Sequence, residues 1–184
     1  MKRKYIVLAG FALWVAHLAT AEEIALTDDQ KRDRADIIAV LTVSAIVKGS
    51  NYTEHHSFSG HTADKQPVQV EYTDEIQEWL IQYRDAKPIK GELPSEGQIR
   101  AIEEVNVVCP HFNVHKFIVD QTYIVFISIR EHGLGLLHSS NQSALPLTSR
   151  YSLTWFEATK DPHNPYELKT AELTQEEYIR WLAK

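Results

Sequence analysis

The sequence predicts an α+β domain in which N-terminal helices pack on a curved, mainly antiparallel, cone-like sheet, with a short helix at the C-terminus. Helical spacing of apolar residues dominates the first half of the chain, and β-branched and aromatic residues dominate from Val105 onwards. Two capping pairs also mark helix starts. With 184 residues, 43% of them apolar and 24% charged, the composition is typical of one globular domain.

Residues 1–21 have the layout of a bacterial-type secretory signal peptide. Three cationic residues at positions 2–4 precede an apolar core at 5–15, and Ala19-Thr20-Ala21 offers a small-residue cleavage site. This apolar stretch is shorter than the roughly 20 residues that a membrane-spanning helix needs. The sequence therefore predicts a periplasmic or secreted protein, cleaved after Ala21, with a single domain over residues 22–184 and no stable membrane span.

The net charge of the chain limits the class of molecule that it can bind. Cleavage removes three of the 19 cationic residues and none of the 25 acidic ones, which takes the formal net charge from −6 to −9. A chain this acidic repels phosphate backbones, so we expect no nucleic-acid partner. Cys109 is the only cysteine, so no disulfide can form within the chain.

The N-terminal half is read as helical. Thr27 and Gln30 form a capping-box pair, and the stretch from Asp36 to Lys48 is apolar nearly all round, so we expect one buried helix ending at Gly49. Residues 50–66 are polar and predict a long loop. A short alternating strand at 67–72 follows.

Two further helices are expected after that strand. Thr73 caps a helix that extends to about Asp85 and shows apolar residues at helical spacing. Ser95 starts another short helix or turn that extends to about Glu104. The apolar face of the first of these two helices carries Ile76, Trp79, Leu80 and Tyr83.

The C-terminal half is read as strands. The predicted strands cover 105–116, 117–131, 149–159 and 166–173, with a turn at Asp120-Gln121. Thr174 and Glu177 form a second capping-box pair, which predicts a terminal helix.

Two of these strand segments carry a resemblance. Residues 119–125 (VDQTYIV) and 149–155 (SRYSLTW), in the order helix, short strand, helix and long hairpin strands, resemble the nuclear-transport-factor-two-like superfamily, the cystatin-like cone. The resemblance covers roughly residues 30–173 and implies a cone of sheet around a helix. That superfamily includes isomerases, dehydratases, hydrolases and non-catalytic modules, so it leaves the function open.

A histidine-rich segment is the first candidate site. His55, His56 and His61 lie between Glu54 and Asp64, and neutral imidazoles suit zinc or copper. Because this spacing is no established metal motif, a solvated polar loop is the alternative.

Cys109, His111 and His115 form the second candidate site. Together with Asn113 they fall at a spacing of two, which places them on one face if the segment is a regular strand, where they could bind a ligand or a soft metal. The alternative is a polar outer face with a free thiol, because Pro110 disfavours a central strand.

Tyr123, Arg130, Arg150 and Tyr151 form the third candidate site. On a concave sheet they could line a ligand pocket, where a tyrosine hydroxyl would donate to a developing oxyanion. The alternative is ordinary exposure on an antiparallel sheet.

The sequence contains no P-loop, no G-x-S-x-G, no H-E-x-x-H and no C-x-x-C. We therefore expect an exported binding or protein-interaction module without a cofactor, whose partner is a protein or a small molecule. A homodimer is left open. Two alternatives stay open as well: an isomerase or dehydratase that works in a cone pocket, and a periplasmic metal-binding protein.

Overall fold

The computed structural model describes residues 26–61, 66–105, 117–131, 133–137, 143–160, 163 and 165–184. Strands make up 67% of these residues and helices 12%. The predicted α+β arrangement, with N-terminal helices packed on a curved sheet, is therefore wrong. The elements are α1 (Asp28–Arg34), β1 (Ile37–His61), β2 (Pro67–Lys90), β3 (Gly97–Glu104), β4 (Thr122–Arg130), β5 (Gly133–Leu136), β6 (Ala144–Pro146), β7 (Arg150–Ala158), β8 (Tyr166–Thr174) and α2 (Gln175–Leu182).

Five strands close into a barrel. β1 pairs antiparallel with β2 and, through residues 37–42, with β4. β2 pairs antiparallel with β3, and β4 pairs antiparallel with β5. A parallel bridge between Arg100 and Gly135 joins β3 to β5 and completes the ring β1-β2-β3-β5-β4-β1. This is the connectivity of a Greek-key barrel of the OB type, and β6 adds to it by pairing with β4.

The barrel is filled by side chains. Alternate residues of each strand point inwards, and their apolar side chains form one continuous core. The buried members of this inner core are Ile37, Ala39, Leu41, Val43, Ile81, Tyr83, Leu93, Ile99, Ala101, Phe117, Tyr123, Val125, Ile127 and Leu136.

The other face of β1 and β4 is buried as well. β7 and β8 form a separate antiparallel hairpin that leads into α2, and these elements cover the outside of the barrel. The outer core consists of Ala35, Ile38, Ile124, Phe126, Leu137, Tyr151, Leu153, Tyr178 and Leu182. α1 joins α2 on this side, because the guanidinium of Arg32 lies 4.4 Å from the ring centre of Trp181.

Burial on both faces explains why the long N-terminal helix was predicted wrongly. α1 ends at Arg34, and the stretch from Asp36 to Lys48 belongs mostly to β1. A strand that is covered on both sides is apolar at nearly every position, so its pattern does not alternate. Its many β-branched residues favour a strand, and that signal outweighs the helical one.

The helices predicted at 73–85 and 95–104 are also wrong, because residues 73–85 belong to β2 and residues 97–104 form β3. The loop predicted at 50–66 is wrong over residues 50–61, which belong to β1. The β1–β2 pairing extends from Ile38, opposite Lys90, to His61, opposite Pro67. In β2 the inward residues have a period of two, which the helical reading of Thr73–Asp85 missed. β3 begins at Gly97, where a Cβ atom would lie 2.8 Å from the hydroxyl oxygen of Tyr83.

Several local predictions are confirmed. The capping boxes at Thr27 and Thr174 begin α1 and α2. β7 and β8 lie where strands were expected at 149–159 and 166–173, and Asp120 adopts φ +68° at the expected turn before β4. The signal segment 1–21 and most of the strand expected at 105–116 lie outside the described residues.

Candidate functional site

A cleft opens on the outside of the barrel, where β3 meets β5. Its volume is about 120 Å³. It is lined by Tyr52, Arg100, Ala101, Ile102, Arg130, Gly133, Gly135 and Leu136. On β3 the residues Arg100 and Ile102 alternate with Ile99 and Ala101, whose side chains belong to the inner core. The two outward residues therefore present their side chains to the cleft.

Arg100 is paired with a buried carboxylate. Its guanidinium contacts Glu78 of β2 through an ion pair, and the Glu78 residue is only 8% exposed. Gly49 of β1 makes room for it, because a Cβ atom there would lie 3.0 Å from Cγ of Glu78. The charge of Arg100 is thus balanced within the fold.

Arg130 is held differently, by neutral acceptors. Its Nε donates to Oγ of Ser128 at 3.1 Å, and one terminal nitrogen donates to the carbonyls of Leu136 and Leu137 at 3.3 Å each. Gly135 lies beside this guanidinium, and a Cβ atom there would be in van der Waals contact with it, 3.4 Å from Nε of Arg130. Arg130 is exposed, and it has no carboxylate partner in the described part of the chain.

Tyr52 forms the wall on the β1 side and is 38% exposed. Its pKa is raised above the usual value by partial burial, and the negative charges of Glu54 and Glu78 act in the same direction. Arg100 and Arg130 oppose the shift. The hydroxyl therefore stays protonated at neutral pH and can donate a hydrogen bond in the cleft.

Beyond the barrel, residues 51–61 of β1 and 67–74 of β2 form a two-stranded ribbon. His55 and His61 lie on one face of this ribbon and His56 lies on the other. The Nε2 atom of His56 is 3.1 Å from a carboxylate oxygen of Asp74, and its ring stacks on Tyr72 with centres 4.9 Å apart.

The three histidines do not come together. His55 and His61 are six residues apart on one strand, a separation of about 20 Å. Within the described ranges, no group of three or more His, Cys, Asp or Glu side chains is arranged to hold a metal ion. The structure thus places these histidines on a ribbon surface.

Tyr123 lies in the barrel interior. Its hydroxyl accepts from the backbone N–H of Ile118 at 2.9 Å and donates to the side-chain oxygen of Gln121 at 3.1 Å. Its ring packs against Phe117. Tyr123 thus fixes the turn that leads into β4.

Arg150 and Tyr151 line a second, larger cavity of about 430 Å³ between α1, β6, β7 and α2. The Tyr151 hydroxyl accepts from the N–H of Thr148 and donates to the carbonyl of Pro146. Its ring stacks on Tyr178 with centres 4.5 Å apart. Of the third candidate set, only Arg130 lies at the cleft, and Cys109, His111 and His115 lie outside the described residues.

A buried carboxylate, which the sequence analysis did not single out, closes one side of the second cavity. Asp28 accepts from the ammonium of Lys31 at 2.7 Å, from the Tyr178 hydroxyl at 3.0 Å and from the N–H of Thr154 at 2.8 Å. Burial raises the pKa of Tyr178 strongly, and the negative charge of Asp28 adds to the shift. These contacts tie α1, β7 and α2 together.

Sequence reasoning missed Tyr52, Glu78 and Arg100 as site residues. Tyr52 lies in the stretch that was read as a loop, and the other two lie in stretches that were read as helices. Around Arg100 the inward residues Ile99 and Ala101 alternate with outward ones, and this alternation was the signal that could have found it. Residues 51–55 around Tyr52 are all exposed and carry no such signal.

No protein-family model, curated protein or solved structure matches the chain. The resemblance to the cystatin-like cone therefore stays a prediction. Neither helix in the described ranges is long and apolar enough to cross a membrane.

Proposed function

We propose that the protein is an exported, non-catalytic binding module that holds its ligand in the cleft between β3 and β5. One observation carries this proposal. The side chains of Tyr52, Arg100 and Arg130 meet at an opening on the outside of the barrel, and the barrel interior is packed with apolar side chains. Export rests on the signal-peptide layout of residues 1–21.

The position of the cleft also supports binding. Barrels with this connectivity commonly bind ligands on the face of the second and third strands and on the loops that follow the first and fourth strands. The cleft borders this face, and Gly133 lies just after the connection between β4 and β5. This support is an analogy at the level of the fold, so the residues themselves have to carry the assignment.

The two alternatives have less support. An isomerase or dehydratase needs a free base beside its substrate, whereas Glu78, a buried carboxylate next to the cleft, is already paired with Arg100. A metal-binding role for His55, His56 and His61 needs the three imidazoles to converge, and the ribbon separates them.

Mapping of backbone amide NMR shifts tests the proposal. Isotope-labelled protein comprising residues 22–184 would be titrated with a fragment library of neutral and charged compounds. We expect the shifts to cluster at 52, 100–102 and 130–136. Tyr52→Ala should weaken binding, and Tyr72→Ala, which removes an exposed tyrosine from the ribbon, serves as the matched control. Shifts confined to the cavity beside Tyr178, or no shifts at all, would contradict the proposal.

A further inference from the structure

We infer that the ligand of the cleft is a small carboxylic acid with a flat apolar body, and that Arg130 receives its carboxylate. This inference rests on the proposed function and names the chemistry of the same site. Four properties of the cleft carry it: the donors left on Arg130, the local charge balance, the apolar walls and the small volume.

Arg130 retains donors for a ligand. A guanidinium has five N–H groups, and three hydrogen bonds to Ser128, Leu136 and Leu137 use Nε and one terminal nitrogen. The two N–H groups of the other terminal nitrogen have no acceptor in the described part of the chain. Because three bonds already fix the plane of the guanidinium, a carboxylate can be bound with little further ordering.

The charge balance favours one negative group. Glu78 neutralises Arg100, so Arg130 supplies the uncompensated positive charge of the lining. Glu54, the other carboxylate close to Tyr52, lies on the ribbon with an oxygen 3.6 Å from Nε2 of His56. The chain as a whole is strongly acidic and repels polyanions, which favours a ligand with a single carboxylate.

The walls and the volume of the cleft determine what the ligand can carry besides its carboxylate. Tyr52 and Ile102 offer an aromatic and an aliphatic surface on which a ring can pack. Gly133 leaves the entrance open, because a Cβ atom there would meet nothing within 4 Å. The cleft is small, about 120 Å³, so it suits a ligand with a single ring.

Benzoate and its neutral isostere benzamide are the probes. Their dissociation constants would be measured by NMR titration at constant ionic strength, with wild-type protein, Arg130→Gln and Arg150→Gln. The Arg150 variant carries the same charge change at the second cavity, so it controls for long-range electrostatics. We expect wild-type protein to bind benzoate at least tenfold more tightly than benzamide. Arg130→Gln should remove that difference and Arg150→Gln should keep it.

Because Arg130 also bonds two carbonyls of the chain, Arg130→Gln could disturb the β4–β5 hairpin. Arg130→Lys, which keeps the charge and loses the planar fork, is the second variant, and we expect it to retain part of the preference for benzoate. Thermal unfolding shows whether each variant is folded.

The outcomes separate the two claims. Equal binding of benzoate and benzamide in the cleft would overturn the carboxylate inference and leave the binding module standing. Equal losses of affinity for benzoate in Arg130→Gln and Arg150→Gln would overturn the role of Arg130. If neither probe nor any library compound shifts the cleft amides, both the inference and the proposed function are wrong.

Discussion

Replacing Asp28 by Asn should destabilise the protein more than any other single substitution of a charged residue in α1. The Asp28 residue is 4% exposed and that of Lys31 is 7% exposed, so the change leaves the lysine charge buried without its partner. The Asn side chain also turns one acceptor into a donor. With the amide nitrogen in place of Oδ2, the N–H of Thr154 would face a donor; with it in place of Oδ1, the ammonium of Lys31 and the hydroxyl of Tyr178 would face one.

The expected magnitude follows from these contacts. Breaking a buried ion pair by removal of one partner costs about 3–5 kcal/mol, because the remaining charge is uncompensated. For a domain of this size, each kcal/mol lowers Tm by about 2–4 °C. We therefore expect the Tm of Asp28→Asn to fall by roughly 6–20 °C.

Thermal unfolding gives Tm and urea unfolding gives the free energy of unfolding, both followed by circular dichroism, and Asp33→Asn is the matched control. The Asp33 side chain is 68% exposed and pairs only with its neighbour Arg32 in the described part of the chain. Its replacement should change the free energy of unfolding by less than about 0.5 kcal/mol. In a double-mutant cycle, Asp28→Asn with Lys31→Met should cost less than the sum of the single changes, because no buried charge is left unpaired.

The reasoning would be refuted if Asp28→Asn and Asp33→Asn lowered stability equally. It would also fail if the double mutant showed strictly additive losses. Either result would mean that the Asp28 contacts do not hold α1 and α2 against β7.

Three further predictions concern the rest of the fold. Gly91→Ala should lower the free energy of unfolding, measured in urea, by about 1–3 kcal/mol, because Gly91 has φ +72° and a Cβ atom would lie 2.7 Å from the carbonyl oxygen of Asp36. An unchanged unfolding midpoint would contradict this. Phe126→Ala, at a fully buried site of the outer core, should lower the free energy of unfolding by about 3–5 kcal/mol. A loss below about 1 kcal/mol would show that the β7–β8 hairpin does not pack on Phe126. The hydrogen bonds from the Thr174 N–H and hydroxyl lower the pKa of Glu177 below its usual value of about 4.5, so this carboxylate contributes stability above pH 4.5 that is lost as pH falls through its folded pKa. Glu177→Gln should therefore flatten the dependence of Tm on pH in the acid range, and parallel curves for variant and wild type would contradict the cap.

Local features of the fold could be predicted from the sequence. Thr27 and Thr174 each have the matching residue three positions later, and both capping boxes form. β7 and β8 alternate and are separated by a turn-rich segment, so their pairing was also predictable. Such features depend on residues that are close in the chain.

Features set by distant parts of the chain could not be predicted. β1 is covered by the inner core on one side and the outer core on the other, and only tertiary structure reveals this. The cleft brings together Tyr52, Arg100 and Arg130, which lie on three different strands. Without the register of β3 against β5, no local pattern links these residues.

A crystal structure of residues 22–184 with bound benzoate would show whether the cleft binds a carboxylate. We expect ordered benzoate between β3 and β5, with a carboxylate oxygen about 2.7–3.0 Å from a terminal nitrogen of Arg130 and the ring against Tyr52. Benzoate ordered in the cavity beside Tyr178, or an empty cleft at saturating benzoate, would contradict it.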